Sequence, residues 1–327
     1  MYKRVTLKDL AEKTGFTINT VSRALKDKHD ISRKTKEIVL KTAEVMGYVV
    51  DTAASSMRSG QTHTIAVIIG DIANPFFGYL VRDIETVAKK SGYTIIIYNT
   101  SEDSEQEKEA ILSAYGRKVD GIIICPVQKN TDNIKLMQKL SVPFVLIGRY
   151  FKELKTDAVH WDDVKAGELA TDYLLDRGHV NILCITAPLY ISSGRDRLQG
   201  YRNAFKERNL PVKEEMIHIT GAMEGQTKNT INDVLKNGLF FTAVMAHSDL
   251  MAYEVLYTLQ GRFNHIELVG CDDIQRKLML PLNIPSIYSP DDEARIAVEL
   301  LVNRICNQGS EPKMVILDVK LDNIRQP

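Results

Sequence analysis

Apolar and polar positions follow two different rhythms along this chain, and the change falls near residue 62. Before it, apolar residues recur every three or four positions, the spacing that puts them on one face of a helix. Thr6 followed by Asp9 reads as a capping box, opening a helix with Leu7, Leu10 and Ala11 on one side and Gly15 as its stop. Thr17 caps a second helix in which Val21, Ala24 and Leu25 face inward, leaving Ile18, Asn19, Ser22 and Arg23 pointing outward. Ser32 caps a third, with Ile38, Val39, Thr42, Ala43 and Met46 as its buried stripe and Gly47 as its end. A helix, a tight turn, a second helix and a supporting helix is the arrangement that can offer its second helix to a DNA major groove.

After residue 62 the pattern becomes near-continuous apolar runs separated by helical stretches. TIAVII, TIIIYN, GIIIC and PFVLIG make one block, and NILCIT, TAVMA and ELVGC make another. Such runs predict parallel strands covered on both faces, so the body is expected to be α/β, with two doubly wound parallel-sheet lobes. A ligand then belongs outside the carboxyl ends of the strands, in the cleft between lobes. Polar residues at strand ends are the candidates: Asp71 and Phe76 after the first strand, Arg197 after NILCIT and Asp272 at the end of ELVGC. An arginine fork, a carboxylate and an aromatic face suit the vicinal hydroxyls and apolar face of a sugar. Arg197 and Asp272 also admit a structural reading, as an ion pair at a domain edge.

Composition narrows the classes. The 327 residues are 44% apolar and 26% charged, as expected of a soluble chain of two or three domains. No run approaches the roughly 18 apolar residues of a membrane span, and MYKRVTLKDL lacks the apolar core of a secretory signal. A cytoplasmic protein, active on the nucleoid and with no membrane partner, is expected. Cys125, Cys184, Cys271 and Cys306 show no paired spacing and read as free thiols. The 42 basic and 42 acidic residues cancel overall, yet residues 1 to 60 hold 12 Lys and Arg against 7 Asp and Glu. That basic end suits a polyanion or is a solvated surface.

The ordered motifs TLKDLAEKTGFTINTVSRAL, ISRKT, AASSMRSGQTHTIAVIIGDIANPFF, VDGIII, ELATDYLLDRGHVNILCIT, GRDRLQGYRNAF, SDLMA and VGCDD span essentially the whole chain. Together they resemble the lactose-repressor (LacI/GalR) family of bacterial transcription regulators. The resemblance implies an N-terminal all-α helix-turn-helix head at 1–48, a hinge at 49–61 and a periplasmic-binding-protein-like body at 62–327. Within the body it implies an N-lobe of 62–159 and 293–317 and a C-lobe of 163–288 and 321–327, with crossings near 159–163, 288–292 and 317–321.

For the head, chemistry and resemblance converge. Asn19 suits adenine, Ile18 a thymine methyl, and Arg23 guanine or phosphate. The family reads bases with the positions of Ile18 and Asn19, and anchors phosphates through hydroxyls matching Thr6, Thr17, Thr20, Ser22, Ser32 and Thr35, a role compatible with capping. The segment VVDTAASSMRSGQ is too short to persist alone as a helix. It reads as a flexible linker or, by resemblance, as a hinge helix whose Ala54 and Met57 meet the minor groove, Met57 as the wedge. Met57 is softer than the usual Leu, and Asp51 replaces a common Asn.

For the body, the resemblance places effector contacts at Asp71, Phe76, Gly148, Arg197, Met223, Ser248 and Asp272. Met223 stands where an aromatic is frequent, Gly148 where an Asp is common, and His247-Ser248 where Ala-Asn is usual. The resemblance implies a carbohydrate effector, and these departures leave a nucleobase, another small metabolite or a phosphoprotein corepressor open. Trp161 reads as packing or as ligand stacking. The expected protein is a repressor acting on pseudo-palindromic operator DNA as a homodimer, and as no tetramer because no leucine heptad follows the last strand. No catalytic residue, metal or cofactor is expected, since nucleophile-elbow, phosphate-loop and metal-ligand motifs are missing. The rival is a secreted or cytoplasmic sugar-binding protein without DNA regulation.

Overall fold

The computed structural model describes residues 4–49, 60–221, 225–259, 266–278, 284–307 and 309–322. The chain divides into two compact units, 1–62 and 63–327.

The first unit is helical. In α1 (Leu7–Thr14) the Thr6 side chain accepts from the Asp9 amide at 3.3 Å and the Asp9 carboxylate accepts from the Thr6 amide at 2.8 Å, a reciprocal capping box. Gly15 ends the helix at φ 73°, a left-handed conformation costly for residues with a Cβ. α2 (Ile18–Leu25) and α3 (Arg33–Met46) start at Thr17 and Ser32, whose hydroxyls cap them. Leu10, Ala11, Val21, Ala24, Val39 and Ala43 form the core, with Leu7, Phe16, Leu25, Ile31, Met46 and Tyr48 packed around it. One expectation fails: Ile38 is 39% exposed and does not join the stripe of α3. Val39, Ala43 and Met46 set the inward direction, and Ile38 lies about 100° round the helix from Val39.

The second unit begins β1 (Thr64–Ile69), α4 (Pro75–Lys90), β2 (Thr94–Asn99), α5 (Ser104–Gly116), β3 (Gly121–Ile124), α6 (Asp132–Lys139), β4 (Phe144–Ile147) and β5 (Ala158–Trp161). It continues α7 (Asp163–Asp176), β6 (Ile182–Thr186), α8 (Ser192–Glu207), β7 (Ile217–Ile219), α9 (Gln226–Lys236), β8 (Ala243–Ala246) and α10 (Asp249–Leu259). Then come β9 (Glu267–Cys271), α11 (Ile274–Leu278), β10 (Ser286–Tyr288), α12 (Glu293–Cys306), β11 (Met314–Leu317) and β12 (Lys320–Asp322). Two sheets result, in the orders β11-β5-β4-β3-β1-β2 and β12-β10-β9-β8-β6-β7. The chain passes between them after β5, after β10 and after β11.

The first sheet is parallel throughout, and β1, β3 and β4 are buried along nearly their whole length. The second departs from the expected all-parallel form, because β12 runs antiparallel to β10. β12 reaches the edge of the second sheet from β11 of the first after only two residues, and pairs there with β10. Each sheet is covered on both faces, giving two apolar clusters per lobe. Trp161 belongs to the edge of one cluster in each lobe. α7 and α8 approach through glycines: a Cβ on Gly167 would stand 2.1 Å from the Arg197 carbonyl oxygen, and one on Gly200 2.1 Å from that of Val164. Cys125, Cys184 and Cys271 are buried free thiols and Cys306 an exposed one. Among the described residues no helix is long and apolar enough to cross a membrane.

Candidate functional site

On the helical head, capping and exposure decide what can meet a ligand. Thr17 accepts from the Thr20 amide at 3.1 Å and its hydroxyl lies 2.9 Å from that of Thr20. Ser32 and Thr35 repeat the arrangement at 3.1 and 2.8 Å. The hydroxyls of Thr6, Thr17 and Ser32 are thus caps, gathered with Thr20 and Thr35 at helix N-termini, where the helix dipole favours an anion. Ile18 is 49% exposed, Asn19 is exposed, and Ser22 is half-buried between them and the core.

Arg23 is not the uncommitted fork that its outward position suggests. Its Nη2 lies 2.6 Å from Asp30 Oδ2, and its Nε is buried without a hydrogen-bond partner. The hydrogen bond and charge of Asp30 raise Arg23 above its ordinary pKa, while Arg23 holds the Asp30 carboxyl below its own. The pair is solvent-screened, so its net contribution is small and a stronger anion could displace Asp30. Ala54 and Met57 lie outside the described residues, as does Met223.

In the body, six expected residues line one cavity of about 80 Å³: Asp71, Phe76, Gly148, Arg197, Ser248 and Asp272. Phe76 and Asp272 also line an adjoining cavity of about 440 Å³, walled by Trp161 and rimmed by Asp83, Asp273, Asp291, Asp292 and Glu293 with Lys90. Only the larger falls within the roughly 300–1,000 Å³ of small-molecule sites. Residues from both sheets contribute, because the carboxyl ends of β1, β4, β8 and β9 open on the same cleft.

Local structure places each side chain. Asn74 caps α4 by accepting from the Phe76 amide at 3.0 Å, Pro75 sits in the first turn, and the Phe76 ring meets Trp161 edge-on at 6.4 Å. Arg197 stands in the second turn of α8 and is 8% exposed. Its Nε donates to Asp163 at 2.8 Å, its Nη1 donates to the His247 carbonyl, and the guanidinium lies 6.0 Å from the Trp161 ring centre. Its close ion pair is thus with Asp163, at the start of α7, while the charge of Asp272 also favours its charged form. Asp272 has φ 112°, a strained conformation of the kind that clusters at binding sites.

Sequence reading missed the pair Glu102 and Arg149. Arg149 donates through Nη2 and Nη1 to the two Glu102 oxygens at 2.7 and 2.9 Å, and through Nη1 to the Pro126 carbonyl at 2.8 Å. Both side chains are 9% exposed. Forty-seven residues separate them, so no local spacing betrays them. The nearest sign is Gly70, where a Cβ would stand 2.2 Å from Glu102 Oε1. Bonds between lobes were also unforeseen: Gln128 accepts from the Ser192 amide at 2.8 Å, and the Tyr150 hydroxyl donates to Asp196 at 2.7 Å.

His247, just beyond β8, lines the smaller cavity with Asp71, Glu102 and Asp272. Burial, then the charges of Arg197 and Arg149, hold its imidazole well below the usual pKa, so it is neutral near pH 7. A lowered folded-state pKa gives stability that is complete above the unfolded value near 6.5 and lost as pH falls below it, because the unfolded state then takes the proton. Melting temperature should therefore drop between about pH 7 and 5, by an amount equivalent to up to ~1.4 kcal/mol per pH unit for this one proton. His247→Gln should flatten that slope in thermal melts taken across the range; an unchanged slope would exclude His247 as its source.

Comparison with known proteins agrees with this fold. Residues 6–51 match the family described as bacterial regulatory proteins, lacI family, and residues 62–278 match periplasmic binding proteins and sugar binding domain of LacI family. The ribose operon repressor of Escherichia coli (strain K12) is 29% identical over 307 residues, covering 92% of this chain and 93% of that one. The probable HTH-type transcriptional regulator EndR of Paenibacillus polymyxa is 30% identical over 311 residues, covering 92% and 90%. Among solved structures, a transcriptional regulator CelR–cellobiose complex is 25% identical with a TM-score of 0.73, covering 98% of both chains. A lac repressor structure bound to ONPG shares the fold at a TM-score of 0.85 and 21% identity, over 98% of this chain and 99% of that one. Both curated relatives are named as regulators of transcription. With a head and a body that both match, in order and over most of its length, this chain belongs to the LacI family of bacterial regulatory proteins and is a DNA-binding transcription regulator.

Proposed function

We propose that the protein is a repressor whose grip on a pseudo-palindromic operator is controlled by a saccharide bound between the two lobes of its body. The observation that carries this reading is the convergence of Asp71, Phe76, Gly148, Arg197, Ser248 and Asp272, drawn from both lobes, on a cavity that shares Phe76 and Asp272 with the larger, sugar-sized cavity beside it. Phe76 supplies an apolar face and the carboxylates accept from hydroxyls, the combination a sugar requires. The E. coli relative is named for the ribose operon and the CelR structure holds cellobiose, which supports the same ligand class. A ligand that touches both lobes shifts their equilibrium by its differential affinity for the two arrangements, and the DNA affinity follows by linkage.

The head at 1–48 acts through Ile18 and Asn19 on bases, with Thr6, Thr17, Thr20, Ser22, Arg23, Ser32 and Thr35 near phosphates and the segment at 49–61 as hinge. Two-fold operators call for a homodimer. Each sheet ends at an edge strand with an exposed isoleucine, Ile97 on β2 and Ile219 on β7, at 44% and 53%. Open apolar edges are unstable alone and suit coverage by a second copy.

The reading is tested by selecting DNA from a random pool with the purified protein, with and without a panel of free saccharides. A two-fold motif whose recovery changes with one sugar supports it; a motif insensitive to every sugar removes the effector, and no motif at all removes the operator. Asn19→Ala should relax base preference at one position in each half-site by about 1–3 kcal/mol while non-specific binding holds. Equal loss on specific and random DNA, in salt-matched titrations, would make Asn19 a backbone contact.

A further inference from the structure

We propose that the body holds its two lobes together without any ligand, through a latch in which Gln128 of one lobe caps helix α8 of the other and Tyr150 ties down the same helix. Helix α8 does not cap itself. Its N-cap residue is Ile191, whose side chain can accept nothing from the free amides of the first turn. The missing acceptor comes from the other lobe. Gln128, beyond β3 of the first sheet, accepts through Oε1 from the Ser192 amide at 2.8 Å and from the Ser192 hydroxyl at 3.2 Å. Tyr150, beyond β4, donates its amide to Ser192 Oγ at 3.2 Å and its hydroxyl to Asp196 Oδ2 at 2.7 Å. Gln128, Ser192 and Asp196 are all buried, and neither Gln128 nor Tyr150 lines the two cavities of the cleft. The latch is thus separate from the residues that would touch a ligand.

Both halves of the latch are braced in their own surroundings. Gln128 Nε2 donates to the Tyr150 carbonyl at 2.7 Å, Glu107 accepts from the Val127 amide at 2.7 Å, and Arg149 donates to the Pro126 carbonyl at 2.8 Å. Gln128 itself has φ 65°, a left-handed conformation that persists beside a Cβ only where the surroundings over-determine it. The Tyr150 ring stacks on His160 of β5 at 4.1 Å, and Arg195 donates to its hydroxyl at 3.4 Å. Burial and the bond to Asp196 push that hydroxyl up to about 12, so it stays a donor. Parting the lobes would uncap α8 and break these bonds together. Because α8 also carries Arg197, the place of that side chain depends on closure. The resting cleft is closed, and a ligand enters only when the latch releases.

Hydrogen exchange of the full-length protein, read by mass spectrometry with no sugar or DNA present, tests the latch through bonds that the substitution leaves intact. Tyr150→Phe removes only the hydroxyl that binds Asp196, so the Ser192 amide keeps Gln128 as its partner unless the lobes part. Exchange in the peptide covering the first turn of α8 should rise by roughly twofold to tenfold, the change in parted population that one lost hydrogen bond brings. Gln128→Ala should raise exchange at the amide of residue 150 by a similar factor. Unchanged exchange at the Ser192 amide in Tyr150→Phe overturns the latch, and this result stands even if Gln128→Ala does not fold. An equal rise in the buried strands of both sheets would be a general loss of stability and overturns it too. Since no sugar enters the experiment, its failure leaves the saccharide reading untouched, and the failure of every sugar to bind leaves the latch untouched.

Discussion

Arg197→Ala is expected to destabilise the body by about 3–5 kcal/mol, the cost of leaving one member of a buried ion pair without its partner. The Asp163 side chain is 2% exposed and its Arg197 partner 9%. Burial already pushes the Asp163 carboxyl above the ordinary range, opposed by the charge and hydrogen bond of Arg197. Without the arginine, Asp163 must bind a proton or remain charged in an apolar setting, and the His247 carbonyl loses its donor. In a domain of this size the loss should appear as a fall in melting temperature on the order of 10 °C. Pairing Arg197→Met with Asp163→Leu should restore much of the stability, because two apolar side chains leave no charge uncompensated. A melting temperature within about 2 °C of the parent after Arg197→Ala would show the pair to be dispensable. The functional corollary is that effector response in this variant must be measured well below its melting transition, since a partly unfolded body is unresponsive whatever its contacts.

Gly200→Ala should do comparable damage by another route. The added methyl carbon would stand 2.1 Å from the Val164 carbonyl oxygen, 2.6 Å from the Glu168 amide nitrogen and 2.8 Å from the Gly167 Cα. All three are backbone atoms in α7, so no rotamer change relieves the overlap and the two helices must separate. Overpacking of this kind costs about 1–3 kcal/mol and more where the obstacle is rigid. The displacement matters for function because α8 carries Ser192, Asp196 and Arg197, which meet Gln128, Tyr150 and Asp163 respectively. Moving α8 away from α7 therefore loosens the cleft wall and the bonds between lobes together. Loss of sugar affinity alongside a lowered melting temperature is the expected pair of results. An alanine variant with unchanged stability would mean that α7 and α8 are not held at this distance in solution.

Much of this architecture was written in local patterns. The caps at Thr6, Thr17 and Ser32 and the stop at Gly15 depend on groups three or four residues apart, so spacing alone reveals them. The apolar runs of β1, β3, β4, β6, β8 and β9 announce buried strands because both their faces are covered. The short strands β5, β7, β10, β11 and β12 are weaker, since AVHW, IHI, SIY, MVIL and KLD mix apolar and polar residues and take their strand form from a neighbour. Ile38 was misplaced because an amphipathic period tolerates a rotation of one residue until a core chooses its direction.

The cleft shows where sequence stops. Strand ends nominated Asp71, Phe76, Arg197 and Asp272, because in parallel sheets those ends share one side of the fold. That Arg197 is held by Asp163, that Arg23 is held by Asp30, and that Glu102 finds Arg149 across 47 residues depend on distances that the linear order does not encode. Sequence by itself determined the three helices of the head, the long buried strands of the body and their order, and the family to which the chain belongs, since local hydrogen bonding and apolar periodicity act over a few residues. Only the tertiary structure decided which charges are spent on one another and which buried polar atoms, His247 Nδ1 and Arg23 Nε among them, are left without a partner, because pairing energies depend on burial and on approach to within a few ångströms.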